Sequence, residues 1–149
     1  MIIKKRTLLL ALFISVVSFS CRVSLISSYD QQVADQITAT SKLIDKLYLT
    51  MLDQDVAKRK YDNYSAAYIN IEVELNAIVN RNKTKLKNAD AQKVAENTVQ
   101  LWTKYRLDHK IKDLLPDAAI KLNLIYMRDA MNDLQLSEDN KKIASSSNN

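Results

Sequence analysis

The sequence predicts an all-α fold, an up-down four-helix bundle, on three observations. It has no glycine and a single proline, Pro116. β-hairpins and bulges use glycine at positions that other residues fill poorly, so a chain without it is poorly suited to a sheet. Apolar residues recur at steps of three and four along four successive stretches, the period of a helix face. The stretches are separated by short polar segments, and short connections make sequential helices antiparallel neighbours.

The first helix is expected from about Tyr29 to Leu52. Ser28 and Gln31 stand three apart, the spacing of a capping box at its start. Val33, Ile37, Thr40, Ile44, Leu47 and Met51 form its inward stripe. Asp53, Gln54 and Asp55 end it, since a continued helix would put Gln54 and Lys58 on that stripe. The second helix is expected over Val56 to Asn80. Tyr61, Tyr64, Tyr68, Ile71, Leu75 and Ile78 alternate steps of three and four, a heptad seam. Asn80 to Asn88 is a polar loop. The third helix covers Ala89 to Lys112, with Val94, Thr98, Leu101, Trp102 and Tyr105 inward. Pro116 lies near the first turn of the fourth helix, where a missing N–H does least harm. Ile120, Leu124, Met127, Met131 and Leu134 carry its stripe. The bundle domain is thus 29–136. Residues 137–149, SEDNKKIASSSNN, are polar and serine-rich and are expected to form a disordered tail.

The first twenty residues differ from all of this. Lys4, Lys5 and Arg6 precede Leu8 to Val17, an unbroken apolar run that is too short to span a bilayer and has the length of a signal-peptide core. Small and apolar residues then lead to Cys21, the one cysteine. The stretch Ser18-Phe19-Ser20-Cys21 resembles a lipobox, the signal for acylating a cysteine and cutting just before it. Ser18 stands where the usual box has Leu, while Ser20 fits its place. The resemblance implies a signal peptide over 1–20 and lipid attachment at Cys21. A plain secreted chain with a stray cysteine and an uncleaved membrane anchor are the alternatives. A lone cysteine has no intrachain partner, and an unpaired thiol is a liability in an oxidising compartment. Two or more acyl chains hold a protein stably on a membrane. Position 22 is Arg, not the Asp that retains lipoproteins in inner membranes, which favours the outer membrane and its periplasmic face. Residues 21–28 form the lipidated Cys and a short tether, whose Arg22 to Ser28 segment reaches about 24 Å when extended.

Removal of the signal changes the charge. Three of the 22 basic residues leave with it, so 19 remain against 17 acidic ones. The precursor's basic pI is therefore poor evidence for nucleic acid, and no nucleic-acid partner is expected. Arg81, Lys83, Lys85 and Lys87 form the remaining basic cluster, which suits a solvated loop. Both phenylalanines, Phe13 and Phe19, also leave, so every remaining ring is a Tyr or the Trp.

Catalytic sets are hard to assemble from what is left. His109 is the one histidine and continues the Trp102–Tyr105 stripe, so it is expected at the bundle edge. Glu72 and Glu74 point about 200° apart on a helix and do not pair. Asp53 and Asp55 suit a turn. Without glycine there is no phosphate-binding loop. The expectation is a non-enzymatic protein with no catalytic residues, no cofactor and no metal. Tyr61, Tyr64 and Tyr68, with Tyr48, Trp102, Tyr105 and Tyr126, either line a groove or form the core, and core is the commoner use of such a stripe.

The Ser20-Cys21 box, the Ser27 to Asp30 entry, the Tyr-rich second helix and the Leu101 to Glu138 segment together resemble an uncharacterised group of small helical lipoproteins of Gram-negative bacteria. The resemblance implies a fold and a location, and no activity. The functional expectation is a membrane-anchored envelope lipoprotein serving as a protein-interaction or structural module with an envelope protein partner. The alternative is a periplasmic carrier or sensor that holds a small apolar ligand between its helices.

Overall fold

The structure, a computed structural model, describes residues 26–146. The expected signal peptide, Cys21, the first part of the expected tether and the last three residues of the expected tail lie outside the described residues. The described chain is all-helical: α1 (Gln31–Leu52), α2 (Ser65–Lys83), α3 (Ala89–Lys112) and α4 (Asp117–Ser146), with two 3₁₀ turns, Val56–Lys58 and Tyr61–Asn63, between α1 and α2.

Each helix packs on its sequence neighbours, and α1 also packs on α4, closing the ring. Polar cross-links fix the directions. Gln36 meets Glu74 while Arg81 meets Gln32, so α1 and α2 are antiparallel. Arg106 pairs with Glu72 and Lys83 with Glu96, which sets α2 against α3 in the same sense. Asp45 takes Arg128, and Glu138 reaches Asp30, doing the same for α1 and α4.

The stripes of α1 and α4 lie where periodicity places them. All six expected positions of α1 and all five of α4 are buried. Burying side chains of this size contributes roughly 1.5–3 kcal/mol each, which is the main force holding the bundle. On α3 the buried line is Ala91, Ala95, Thr98, Trp102, Tyr105 and His109, with Val94 and Leu101 half-buried beside it.

The boundaries differ in four places. The N-cap of α1 is Asp30, not Ser28. Its Oδ1 accepts from the backbone N–H groups of Gln32 at 2.9 Å and Val33 at 3.3 Å, and such caps contribute about 1 kcal/mol. The α2 helix starts at Ser65, not Val56, because Arg59 turns inward and anchors the preceding segment to the end of α1. It then runs on to Lys83, shortening the expected loop. Finally, the segment expected as a tail is helical to Ser146. Met131, Leu134, Glu138 and Lys141 continue one stripe at steps of three and four, and the last two are buried like the first two.

Without glycine, the chain places Lys87 and Asp113 in the left-handed region, at φ 58° and 60°. Asp tolerates that region better than most residues. At Asp113 it ends α3, with the backbone N–H closing on the His109 carbonyl at 2.8 Å.

Candidate functional site

The aromatic seam converges on one end of the bundle, where α1 ends, the 3₁₀ turns pass, α3 ends and α4 begins. Tyr61 stacks on Tyr68 with ring centroids 5.8 Å apart. Tyr68 lies 5.2 Å from Trp102, and Tyr48 meets the Trp102 edge at 6.2 Å. Trp102 Nε1 donates to the Tyr68 carbonyl at 3.2 Å, so the largest ring in the core is also oriented by a hydrogen bond.

His109 sits in the middle of these rings with no exposed surface, rather than at the bundle edge. The geometry fixes its tautomer. Nε2 lies 2.8 Å from the Arg59 carbonyl, which can only accept, so Nε2 carries the proton. Nδ1 therefore accepts from the Tyr68 hydroxyl at 3.1 Å. Burial among the rings lowers its pKa below the usual histidine value, against the opposing pull of the Arg59 and Asp113 main chain. A neutral imidazole with both nitrogens occupied is a structural bridge between α2, α3 and the linker. It has no free atom to offer a substrate.

Arg59, the residue whose carbonyl holds His109, is itself buried. Its Nε donates to the Gln54 carbonyl at 2.8 Å, Nη1 to the Leu115 carbonyl at 3.3 Å and Nη2 to the Leu52 carbonyl at 3.5 Å. Nη1 also pairs with Asp117 at 2.6 Å. The guanidinium thus receives carbonyls that the end of α1 and the entry to α4 leave without helix partners. It also holds the Asp117 carboxyl below its usual pKa. The Tyr61 backbone N–H is shared between the Asp113 carbonyl at 3.1 Å and Asp113 Oδ1 at 3.2 Å.

Tyr48 Oη is buried and faces Tyr68 and Asn123. Burial raises the Tyr48 and Tyr68 pKa values well above the ordinary phenol value, so neither hydroxyl is prepared to act as a base.

The seven rings considered for a groove therefore separate. Tyr48, Tyr61, Tyr68, Trp102 and Tyr105 are core, Tyr64 is half-buried, and Tyr126 is 48% exposed on α4. The rings pack against one another where a ligand channel would run. Among the described residues no three His, Cys, Asp or Glu side chains gather as they would around a metal ion. No described helix is long and apolar enough to cross a membrane.

The opposite end carries a second polar cluster that the sequence did not suggest. Lys141 pairs with Glu138 at 2.6 Å, and both are buried. Glu138 also accepts the Asp30 backbone N–H at 2.6 Å. Asp30 in turn pairs with Lys85 at 2.8 Å, which with the α1 cap holds its carboxyl below the usual range. Ser27 N–H donates to the Lys87 carbonyl at 3.1 Å, tying the segment before α1 to the α2–α3 loop. A cleft of about 230 Å³ opens here, bordered by Ile26, Lys87, Asn88 and Lys141. The buried Oδ1 of Asn88 has no hydrogen-bond partner.

Comparison of the chain with protein-family models, with curated proteins and with solved structures gives no match.

Proposed function

We propose that this chain is a lipid-anchored envelope lipoprotein, attached through Cys21 at the periplasmic face with the outer membrane favoured, whose bundle is a non-enzymatic interaction or structural module. The observation that carries the module reading is how the polar groups are used. His109, Arg59, Asp117 and Asp113 hold one another and the main chain, and the rings that would line a ligand groove fill the core instead. This supports an interaction module over a carrier.

The exposed apolar side chains offer contact surface. Leu122, Ile125 and Tyr126 share one face of α4 at steps of three and four, and each is about half exposed. Ile111 near the end of α3 is 82% exposed. An envelope protein partner would cover such side chains without any change in the core.

The anchor is tested by Cys21→Ser in the producing bacterium. Wild type takes up radiolabelled palmitate and is shortened by signal cleavage. The variant takes up none and keeps its signal. Absence of label from the wild type overturns the anchor. The module reading is tested by photocrosslinking in intact cells from position 125 or 126. A discrete crosslinked envelope protein supports it, and a small apolar molecule copurifying at one per chain overturns it in favour of the carrier.

A further inference from the structure

The bundle's two ends are not equivalent with respect to the stretch before Ile26. Cys21 stands five residues before Ile26. Five extended residues span at most about 18 Å. Ser27 is hydrogen-bonded to Lys87, so the α2–α3 loop is held beside the segment that enters α1. Next to Lys87 is Leu86, 88% exposed and the most exposed large apolar side chain described. Ile26, at 42%, is exposed at the same end, and Ile143, in the last turns of α4, is 65% exposed. A loop that carries a bare leucine flanked by lysines has the form of an interfacial contact. The apolar tip enters the headgroup region and the long cationic side chains stay at its surface.

We propose that this end of the bundle, with Leu86 as its tip and Ile26 beside it, rests on the lipid surface, so that the Arg59–His109 end points away from the membrane. The proposal rests on the membrane-attached reading above and adds an orientation to it. Two features argue for lipid as the occupant. The first is reach: an anchor at Cys21 brings this end within about 18 Å of the membrane. The second is the composition of the patch, in which the exposed Leu86 stands between Lys85 and Lys87, with Ile26 exposed at the same end. Net charge adds little. Lys85 is paired with Asp30 and Lys83 with Glu96. Contact through the apolar tip is therefore expected to survive high salt, whereas a purely electrostatic contact would be screened.

The orientation is read with one environment-sensitive fluorophore per molecule. The full chain, processed by its own cells, carries either Leu86→Cys or Ile111→Cys, each labelled with the same dye. Position 111 is an exposed apolar site near the opposite end of α3, about 33 Å along the helix from its start. Each protein is reconstituted into phosphatidylethanolamine–phosphatidylglycerol vesicles containing headgroup-level nitroxide lipids. The expected result is quenching several-fold stronger at position 86 than at 111, unchanged in 0.5 M salt. Equal quenching, or stronger quenching at 111, overturns the proposal. The mass of the N-terminal peptide from the same preparation reports the anchor separately. An unacylated protein that still floats with vesicles overturns the Cys21 anchor, and the orientation is then decided by the same quenching ratio in a Cys21→Ser background, where the dye again marks one position. A protein that does not float overturns both.

Discussion

Each end of the bundle buries a cation, and the two ends do it differently. At one end Arg59 spreads its guanidinium over three main-chain carbonyls and the half-exposed Asp117. At the other, Lys141 faces a single carboxylate, Glu138, whose second oxygen is taken by the Asp30 N–H. A guanidinium fans out to several acceptors, which suits the unsatisfied carbonyls at helix ends. An ammonium is a compact charge, and its burial depends on the one partner with which it is buried. The Arg59 end therefore tolerates loss of its acid, whereas the Lys141 end should not tolerate loss of either partner. Rings reinforce the contrast: stacked tyrosines and Trp102 pack around His109, while polar links at the other end tie the segment before α1 to the α2–α3 loop and to α4.

The sharpest way to break this picture is at the rings. Replacing Tyr61, Tyr64 and Tyr68 together by Ser removes two buried rings and one half-buried ring, and with Tyr68 the hydroxyl that serves His109. Truncating a large buried ring costs about 3–5 kcal/mol. The sum reaches the 5–15 kcal/mol that typically holds a whole domain. The variant is expected to lose its cooperative melt by circular dichroism. A well-folded triple mutant would mean the seam is a surface, not the core.

A smaller effect separates the two cations. Lys141→Met strands the Glu138 carboxylate inside the protein, and breaking a buried pair this way costs about 3–5 kcal/mol. Asp117→Asn removes a partner that is more than half exposed and leaves Arg59 its three main-chain carbonyls, so a clearly smaller loss is expected. Urea denaturation of both variants measures the ratio. Equal losses would show that the ends bury their charges in the same way.

The smallest effect is the dependence on pH. The native state lowers the His109 pKa, so the unfolded chain binds more protons wherever the two states differ. Stability from this residue is fully present above about pH 6.5, the unfolded value. It is lost as pH falls through that value toward the folded one. The lowered Asp30 and Asp117 carboxyls have the same sign in a separate window, below about pH 4. The melting temperature should fall between pH 7 and pH 5, and His109→Gln should flatten that fall. A profile that is unchanged by His109→Gln would place the titrating group elsewhere.

The helix stripes were legible because burial there follows from period and apolar character, both local properties. Val33 to Met51 and Ile120 to Leu134 needed no knowledge of their neighbours. The α3 boundaries were legible for the same reason. His109 was placed on the right stripe, but its depth was not, because depth depends on Tyr68 and on a carbonyl fifty residues away.

What the sequence by itself determined is the helical class, the inward stripes of α1 and α4, part of those of α2 and α3, and the absence of any glycine-dependent turn. What only the tertiary structure decided is where charge goes inside. Arg59 sits in a segment whose local pattern suggested an ordinary helix start. Glu138 and Lys141 keep the three-four step of Met131 and Leu134, but their residue type suggested a solvated tail. Burying such groups is unfavourable until a partner arrives, and the partners stand far off in sequence: Asp117 for Arg59, the Asp30 N–H for Glu138. Periodicity reports which side of a helix a residue occupies. Whether a charge can stay on the inner side is settled by the helices that meet it there.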